Sequence, residues 1–256
     1  MFEKIYKNSI IEKPKLTLTV LFIMLLSIGY FAKNFQLDAS SDTLLLENDP
    51  DLKYLREVNS TYGAKDYLVL TYSPKNYLLD SNTIKNLTDL KNELMNLDWT
   101  DNIITILDVP LLKNNDDSLA ERLKNFKTLS SKNVDKERGF EEIINSPIFK
   151  EFIISKDGKT SGILVYIKTD RKMSNFIKIK NNYLNKIDTK TITPNEEKKY
   201  KKFLKDYDKY KKIYNKKNHN NISEIRTIIK KYEYTAKIHL GGIPMIADDM
   251  MTYVKN

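Results

Sequence analysis

Few side chains in this sequence are suited to catalysis or metal binding. The chain of 256 residues has no cysteine and two histidines, His219 in the polar stretch NKKNHNN and His239 in an apolar stretch. Neither histidine has a second ligand at the spacing of a metal site, so we interpret both as surface or packing residues. Asp248 and Asp249 adjoin in sequence and would diverge on a helix, which favours a solvated face over an acid and base pair. We therefore predict no catalytic residue and no metal site.

Cofactor binding is not indicated either. Gly241 and Gly242 do not form a phosphate loop, because neither G-x-x-x-x-G-K-[ST] nor G-x-G-x-x-G occurs in the sequence. The absence of cysteine also excludes a disulfide-stapled scaffold. We predict no cofactor, and the residues that would bind a substrate are not apparent from the sequence.

A lysine-rich stretch, residues 170–232, combines positive charge with regularly spaced aromatic residues. The net charge of the chain is +9, and in residues 196–232 the thirteen basic residues outnumber the five acidic ones. Aromatic rings between lysines could stack nucleic-acid bases. A helical arm whose tyrosines face a partner helix also explains the pattern, and Lys, Asn, Ile and Tyr are abundant throughout the chain. We therefore expect no nucleic acid partner, and hypothesise that the arm contacts anionic lipid or a protein partner.

The spacing of apolar residues predicts two helices in this arm. Tyrosine and phenylalanine recur at heptad a and d positions, and isoleucines repeat the spacing after NKKNHNN, residues 215–221. The polar stretch between them is interpreted as a break, so the two helices should form a hairpin. The residues that carry the two halves of the pattern are Tyr200, Phe203, Tyr207, Tyr210 and Tyr214, then Ile222, Ile225, Ile229 and Tyr232.

An uncharged apolar run near the N-terminus, residues 16–32, predicts a membrane-spanning helix. Its 17 residues extend about 25 Å as a helix, a little under the roughly 30 Å of a hydrocarbon core. Lys15 and Lys33 can snorkel at the two ends, and Phe35 and Leu37 add apolar length. A cleaved signal peptide is the rival interpretation, but the run is long for one. Lysines concentrate before the run and acidic residues follow it, so the N-terminus is expected in the cytoplasm.

An acidic stretch and a βαβ unit follow. Asn48 or Asp49 can cap a helix with Pro50 at its first position, and Gly63 supplies its end. Residues 66–73 and 102–110 have the pattern of buried strands. A helix that starts at Asp80 or Ser81 connects them, so the two strands should run parallel. The apolar stripe of that helix is Ile84, Leu87, Leu90 and Leu94.

The remaining elements complete an α/β domain. Residues 118–126 predict a short helix at best, and 127–136 a loop. Residues 149–169 contain two strand-like runs around Lys156, Asp157 and Gly158, which predicts a hairpin whose second run lies inside the sheet and whose first run lies nearer an edge. Residues 236–242 predict a last strand with a glycine turn. An amphipathic helix over 243–256 then stops with no cap or terminal glycine, so we expect the chain to continue.

The order of these segments resembles the start of exporters of the resistance-nodulation-division (RND) superfamily, in the hydrophobe or lipid exporter branch that includes the MMPL proteins. In that family the first transmembrane helix precedes a segment like D-x-S-x-D-x-L-L-P-x-D-D-P, then a helix, an F-G turn and a strand. The matching residues here are Asp38, Ser40, Asp42, Leu44, Leu45, Asp49, Pro50, Leu52, Tyr54 and Gly63.

Two further motifs of the family have counterparts later in the chain. The S-x-D-G-K-T hairpin and the G-x-P segment before the second transmembrane helix resemble Ser155, Asp157, Gly158, Lys159 and Thr160, and then Gly242, Pro244 and Asp248. Leu46 and Tyr62 stand where the family usually has proline and phenylalanine. Residues 170–221 match no part of the family pattern.

The resemblance implies the N-terminal part of a bacterial inner-membrane exporter with a porter-type α/β domain. Residues 1–15 would be a cytoplasmic tail, 16–35 the first transmembrane helix and 36–256 a periplasmic domain. Within that domain, 170–232 would form the lysine-rich helical arm, and 243–256 would lead towards a second transmembrane helix. The family moves hydrophobic or amphiphilic cargo outward with the proton gradient.

The partners implied are the lipid bilayer, a lipid-like cargo and the remaining transmembrane part of the transporter, with a homo-oligomer or a periplasmic protein as further candidates. No enzyme activity is expected. Two other classes stay open: a membrane-anchored extracytoplasmic sensor, and an anchored binding or structural protein complete as it stands. Further apolar helices with buried acidic residues after Asn256 would indicate an exporter, and a soluble helical or kinase-like region a sensor.

Overall fold

The computed structural model describes residues 13–32, 50–63, 65–113 and 126–255. These residues fall into two units, which divide between residues 38 and 39. The acidic segment 38–49 and nearly all of the predicted short helix 118–126 lie outside the described residues.

The predicted apolar helix is present as helix α1, Pro14–Ala32. Pro14 is its first residue, a position where proline's missing N–H leaves no helical hydrogen bond unmade. The leucine and isoleucine side chains of α1 are exposed. The predicted membrane-spanning character is not supported, since across the parts of the chain that the structure describes, no helix is both long and apolar enough to cross a membrane.

A four-stranded antiparallel sheet forms the centre of the second unit, in the order β2-β3-β1-β4. β1 pairs with β3 and β4, and β2 pairs with β3, all antiparallel. β1 and β2 therefore point the same way, as predicted, but β3 lies between them. This is the split βαβ arrangement of β-α-β-β-α-β folds. The strands are β1 (Tyr67–Pro74), β2 (Thr100–Ile104), β3 (Ser161–Ile167) and β4 (Ala236–Gly241).

Helices precede, connect and follow the strands along the chain and give the unit its mixed α/β character. Within the described part of the second unit they are α2 (Pro50–Tyr62), α3 (Ser81–Met95), α4 (Lys136–Ile144), α5 (Arg171–Asp188), α6 (Pro194–Tyr232) and α7 (Ile243–Lys255). The alternate residues Leu68, Leu70 and Tyr72 of β1 are fully buried and belong to one core with isoleucines of β3 and α6. The predicted helices from Pro50 and over 243–256 are confirmed, whereas α4 follows the predicted loop and was missed.

The helix between β1 and β2 was predicted correctly from its cap and its stripe. The Asp80 carboxylate accepts a hydrogen bond from the backbone N–H of Asn82 at 3.1 Å, which fixes the start of α3. Leu87, Leu90 and Leu94 are at most 1 % exposed. Burial of three leucines at helical spacing fixes the face of α3 that meets the sheet.

The predicted strand over 102–110 is wrong in its second half. β2 ends at Ile104, and a turn of 3₁₀ helix, Ile106–Asp108, follows. Thr105 and Asp108 form a capping box, in which the Thr105 hydroxyl accepts from the N–H of Leu107 while the Asp108 carboxylate accepts from the N–H of Thr105. The side chains thus satisfy backbone donors that a longer strand would have given to the sheet.

The hairpin prediction is confirmed at its turn and wrong in its first strand. Gly158 has φ +68°, and the N–H of Ser155 donates to the carbonyl of Thr160 at 2.9 Å. The second run is β3, which lies inside the sheet as predicted. Residues 149–155 instead form turns with isolated bridges. Ile153 and Ile154 are both 2 % exposed, and two consecutive buried side chains do not fit the alternation of a half-exposed edge strand.

The lysine-rich arm is a helical hairpin, but its two helices differ from the predicted pair. The polar stretch 215–221 is no break: α6 continues through it for 39 residues, and α5 is its partner. No glycine or proline occurs in that stretch, and lysine and asparagine cost well under 1 kcal/mol each in a helix. The tyrosines of α6 do face a partner helix, as predicted, because Phe176 of α5 stacks on Tyr210 at 5.5 Å between ring centroids.

A capping box at the tip of the arm makes its stability depend on pH. Glu196 accepts hydrogen bonds from the N–H and hydroxyl of Thr193 at 2.9 Å, and pairs with Lys186 across the hairpin at 2.5 Å. The Lys186 hydrogen bond, then those of Thr193, lower the pKa of Glu196 to about 2. Because the folded pKa is depressed, the stabilisation is present above about pH 4.5 and is lost as the pH falls towards 2.

We expect Glu196→Gln to flatten this part of the pH profile. The free energy of unfolding of the full chain, measured by urea titration at pH 5.5, 4.0 and 3.0, should fall less in the variant than in the parent protein. Glu197→Gln is the matched control, since among the described residues the partner of Glu197 is Lys201, one turn along the same helix. Equal slopes for the parent and Glu196→Gln would contradict the assignment.

Candidate functional site

A cleft of about 1880 Å³ opens at one end of the sheet, within the second unit. β1 begins and β3 ends at this edge, because Tyr67 is paired with Tyr166 in the antiparallel register. Helices α2, α5, α6 and α7 supply the other walls. Sites for drug-sized ligands usually measure about 300–1,000 Å³, so this cleft has room for a larger molecule.

Aromatic and aliphatic side chains form the apolar part of the cleft. The rings of Tyr67 and Tyr166 lie 5.8 Å apart across the two strands, and Tyr67 is 46 % exposed. Trp99, just before β2, is buried, and its indole N–H donates to Glu224 of α6 at 2.8 Å. Met173 and Ile177 of α5 contribute aliphatic surface. These groups offer an apolar ligand both flat and flexible contact surfaces.

Tyrosine hydroxyls hold two carboxylates of the cleft in place. Tyr214 donates to Asp66 at 3.2 Å, and Tyr210 donates to both oxygens of Asp170 at 3.0 and 2.9 Å. Burial and the nearby charge of Asp66 raise the pKa of Tyr214 well above its usual range. Partial burial raises the pKa of Asp170, but hydrogen bonds from the N–H of Met173 and from Tyr210 outweigh it, so the pKa is lowered overall.

At neutral pH the phenols of Tyr210 and Tyr214 are therefore neutral, and the lowered pKa of Asp170 keeps its carboxylate ionised. The carboxylates of Asp66 and Asp170 are thus oriented by tyrosines before any ligand binds.

Carboxamides are the most frequent polar group in the lining. The nine asparagines are Asn59, Asn96, Asn181, Asn182, Asn185, Asn215, Asn218, Asn220 and Asn221. Two of them serve the fold: Asn218 donates to the carbonyl of Pro244 at 3.0 Å, and Asn215 contacts the sulfur of Met251 at 3.3 Å. Asn221 is only 8 % exposed, and no side chain or backbone group of the described residues bonds to its carboxamide. Because Asn221 lines the cleft, its carboxamide is available to a ligand or to water there.

Charges in the lining cancel. Its lysines are Lys65, Lys168, Lys178, Lys211 and Lys217, and its acidic residues are Glu57, Asp66, Asp98, Asp170 and Glu224. The chain as a whole carries +9. The cleft is therefore locally neutral in a basic protein, which favours neither anions nor cations as a class.

The histidines and carboxylates considered from the sequence lie beside the cleft or away from it. The prediction of a solvated face is wrong for Asp248, which is 3 % exposed and accepts from Nδ1 of His219 at 3.0 Å. Its burial arises because α7 packs on the polar stretch of α6 that was interpreted as a break. Asp249 diverges as predicted and pairs with Arg226 at 2.7 Å. His239 is exposed on β4, in accord with its interpretation as a surface residue.

The cleft itself was missed from the sequence. Its available signal was the asparagine content of residues 215–221, which was interpreted as a helix break and not as one wall of a site.

In the described residues no group of three or more histidine or carboxylate side chains is placed to hold a metal ion. The arrangement can bind and orient a ligand by contact and hydrogen bonding. No family model matches this sequence, and no curated protein does.

Proposed function

We propose that this chain is the N-terminal part of an inner-membrane exporter of the RND superfamily, in the MMPL or hydrophobe and lipid exporter branch. It would contribute the first membrane anchor and a periplasmic domain that handles hydrophobic or amphiphilic cargo during proton-driven efflux. The observation that carries the proposal is the cleft, which is large enough for an amphiphile and has both apolar and polar walls. The motif order of the sequence supports the same family.

The proposed anchor is α1 together with residues on either side of it. Leu16 is 60 % exposed and Leu25 is 67 % exposed, so these apolar side chains are available to lipid. The 19 residues of α1 are few for a full span. Anchoring therefore also requires Phe35 and Leu37, which lie outside the described residues, and lysines that snorkel at the ends. The lysine distribution supports a cytoplasmic N-terminus.

The proposed role of the domain is to hold cargo and pass it on. The resemblance places the acidic residues that couple export to protons in later transmembrane helices, so these residues would bind cargo without driving its movement. The partners of the domain are then the remaining transmembrane part of the transporter, the bilayer and the cargo. A homo-oligomer or a periplasmic protein would complete the path outward.

Photocrosslinking in living cells tests whether the cleft meets lipid. Bacteria that express the full chain would be fed a fatty acid with a diazirine group and illuminated, and adducts would be mapped by mass spectrometry. We expect adducts at Met173 or Tyr166 in the cleft, in addition to those on α1. Phe152 serves as the internal control, because it is 61 % exposed and lies near the start of β3, at the other end of the sheet.

A pair of variants on one helix sharpens this test. Ile177→Glu places a charge in the cleft and should reduce the cleft adducts at least fivefold, since burying an unpaired charge against lipid is costly. Ile179→Glu is the matched control, because Ile179 lies two residues along α5, is 36 % exposed and does not line the cleft. Adducts confined to α1, or as frequent at Phe152 as in the cleft, would overturn the proposal.

A further inference from the structure

The lining of the cleft is more polar than a site for hydrophobic cargo requires. A site for a purely apolar molecule needs few hydrogen-bonding groups, whereas nine carboxamides line this one. Beyond the two used by the fold, Asn181, Asn182 and Asn185 of α5 have no side-chain hydrogen bond among the described residues. Together with Asn221 of α6, these three residues form a surface that we call the asparagine wall. Its donors and acceptors are free for a ligand.

We propose that this wall binds an uncharged polyhydroxylated group, namely a neutral oligosaccharide or an oligosaccharide headgroup. Each sugar hydroxyl both donates and accepts, and a carboxamide offers two donors and one acceptor in a fixed plane, so one asparagine can bond two neighbouring hydroxyls. Asp66 and Asp170, already oriented by tyrosines, add carboxylate oxygens to the lining of the same cleft. The inference rests on the proposed function only in using the same cleft.

Aromatic side chains and charge balance support the same ligand class. Tyr67 and Tyr166 lie at the sheet side of the cleft, where the C–H face of a sugar ring can pack against them. The lining has equal numbers of lysines and carboxylates, so a charged headgroup would lose its hydration without a net opposite charge to compensate it. The volume of about 1880 Å³ accommodates several sugar rings in a row.

Binding of soluble oligosaccharides tests the inference without lipid. The full chain would be placed in phosphatidylcholine nanodiscs, because a maltoside detergent carries the very group in question. Maltohexaose, cellohexaose and chitohexaose are the probes, and saturation-transfer NMR and calorimetry measure their binding. We expect saturable binding of at least one of them.

Two substitutions test whether the oligosaccharide binds at the asparagine wall. Asn221→Leu removes the buried carboxamide at similar volume and should weaken binding about tenfold. Asn182→Ala alters an exposed residue that no described group bonds, so it should weaken binding severalfold without changing the melting temperature. Asn195→Leu, on the same helix as Asn221 but outside the cleft, should bind like the parent protein.

Either of two results would overturn the inference: no saturable binding of any of the three probes, or equal binding by Asn221→Leu, Asn182→Ala and Asn195→Leu. The photocrosslinking experiment distinguishes this inference from the proposed function. Adducts in the cleft without oligosaccharide binding would leave the proposed function standing and remove this inference. Oligosaccharide binding without cleft adducts would support this inference and remove the proposed function.

Discussion

Replacing Gly242 with alanine should lower the free energy of unfolding of the second unit by about 3 kcal/mol. Gly242 joins β4 to α7 with φ +116°, a backbone conformation that residues with a Cβ rarely adopt. A Cβ atom there would lie 2.9 Å from the carbonyl oxygen of Tyr67 and 3.1 Å from Cα of Leu68. Both neighbours are backbone atoms of β1, so neither can move aside without disturbing the central strand.

Backbone strain and overlap therefore act together at this residue. A strained backbone conformation costs about 1–3 kcal/mol. Overpacking of a rigid site adds about 1–3 kcal/mol more. The carbonyl of Gly242 also accepts the N–H of Ile246 at 3.0 Å, so a shift of this residue would loosen the first turn of α7.

Gly241→Ala is the matched control, one residue earlier on the same strand. Its added Cβ would meet nothing closer than the carbonyl of Val69 at 3.7 Å, and its φ is not positive. We expect a change of about 1 kcal/mol or less, measured by urea unfolding of the full chain under identical conditions. Equal losses for the two variants would show that position 242 is not the close contact described here.

The parts of the fold that the sequence predicted are those whose cause is local. Asp80 caps α3, Pro50 begins α2 and Gly158 forms its turn, because each depends on the backbone within a few residues. β1 was predicted for the same reason, since the apolar run of a buried strand lies within a few consecutive residues. The order of the strands was not predicted, because insertion of β3 between β1 and β2 depends on contacts distant in sequence.

The cleft was not predicted because its walls are also held together by contacts between residues distant in sequence. Asp66 meets Tyr214 across 148 positions of sequence, and Trp99 meets Glu224 across 125. No spacing rule for helices or strands relates residues so far apart. The burial of Asp248 has the same origin, because it follows from α7 packing on α6. The asparagines were visible in the sequence, but without the continuous helix they did not indicate one face.

The sequence predicted two helices with a break at residues 215–221, whereas the structure has one continuous helix, α6. A proline substitution in this stretch distinguishes the two. Lys216 is exposed in the middle of the polar stretch. In a continuous helix, Lys216→Pro removes the hydrogen bond to the carbonyl four residues earlier and clashes with it, which costs about 3 kcal/mol or more. If 215–221 were a loop between two helices, proline would cost little.

We expect the variant to lose about 3 kcal/mol in the free energy of unfolding and part of its helical circular dichroism, while Lys216→Ala changes stability by less than about 0.5 kcal/mol. The effect should reach the cleft, because Asn215 and Asn218 flank the site and bond α7. A proline variant as stable as the alanine one would mean that α6 is interrupted there. The arm and the half of α6 that covers the sheet would then be separate helices, and the asparagine wall would lose the rigid support that aligns its carboxamides.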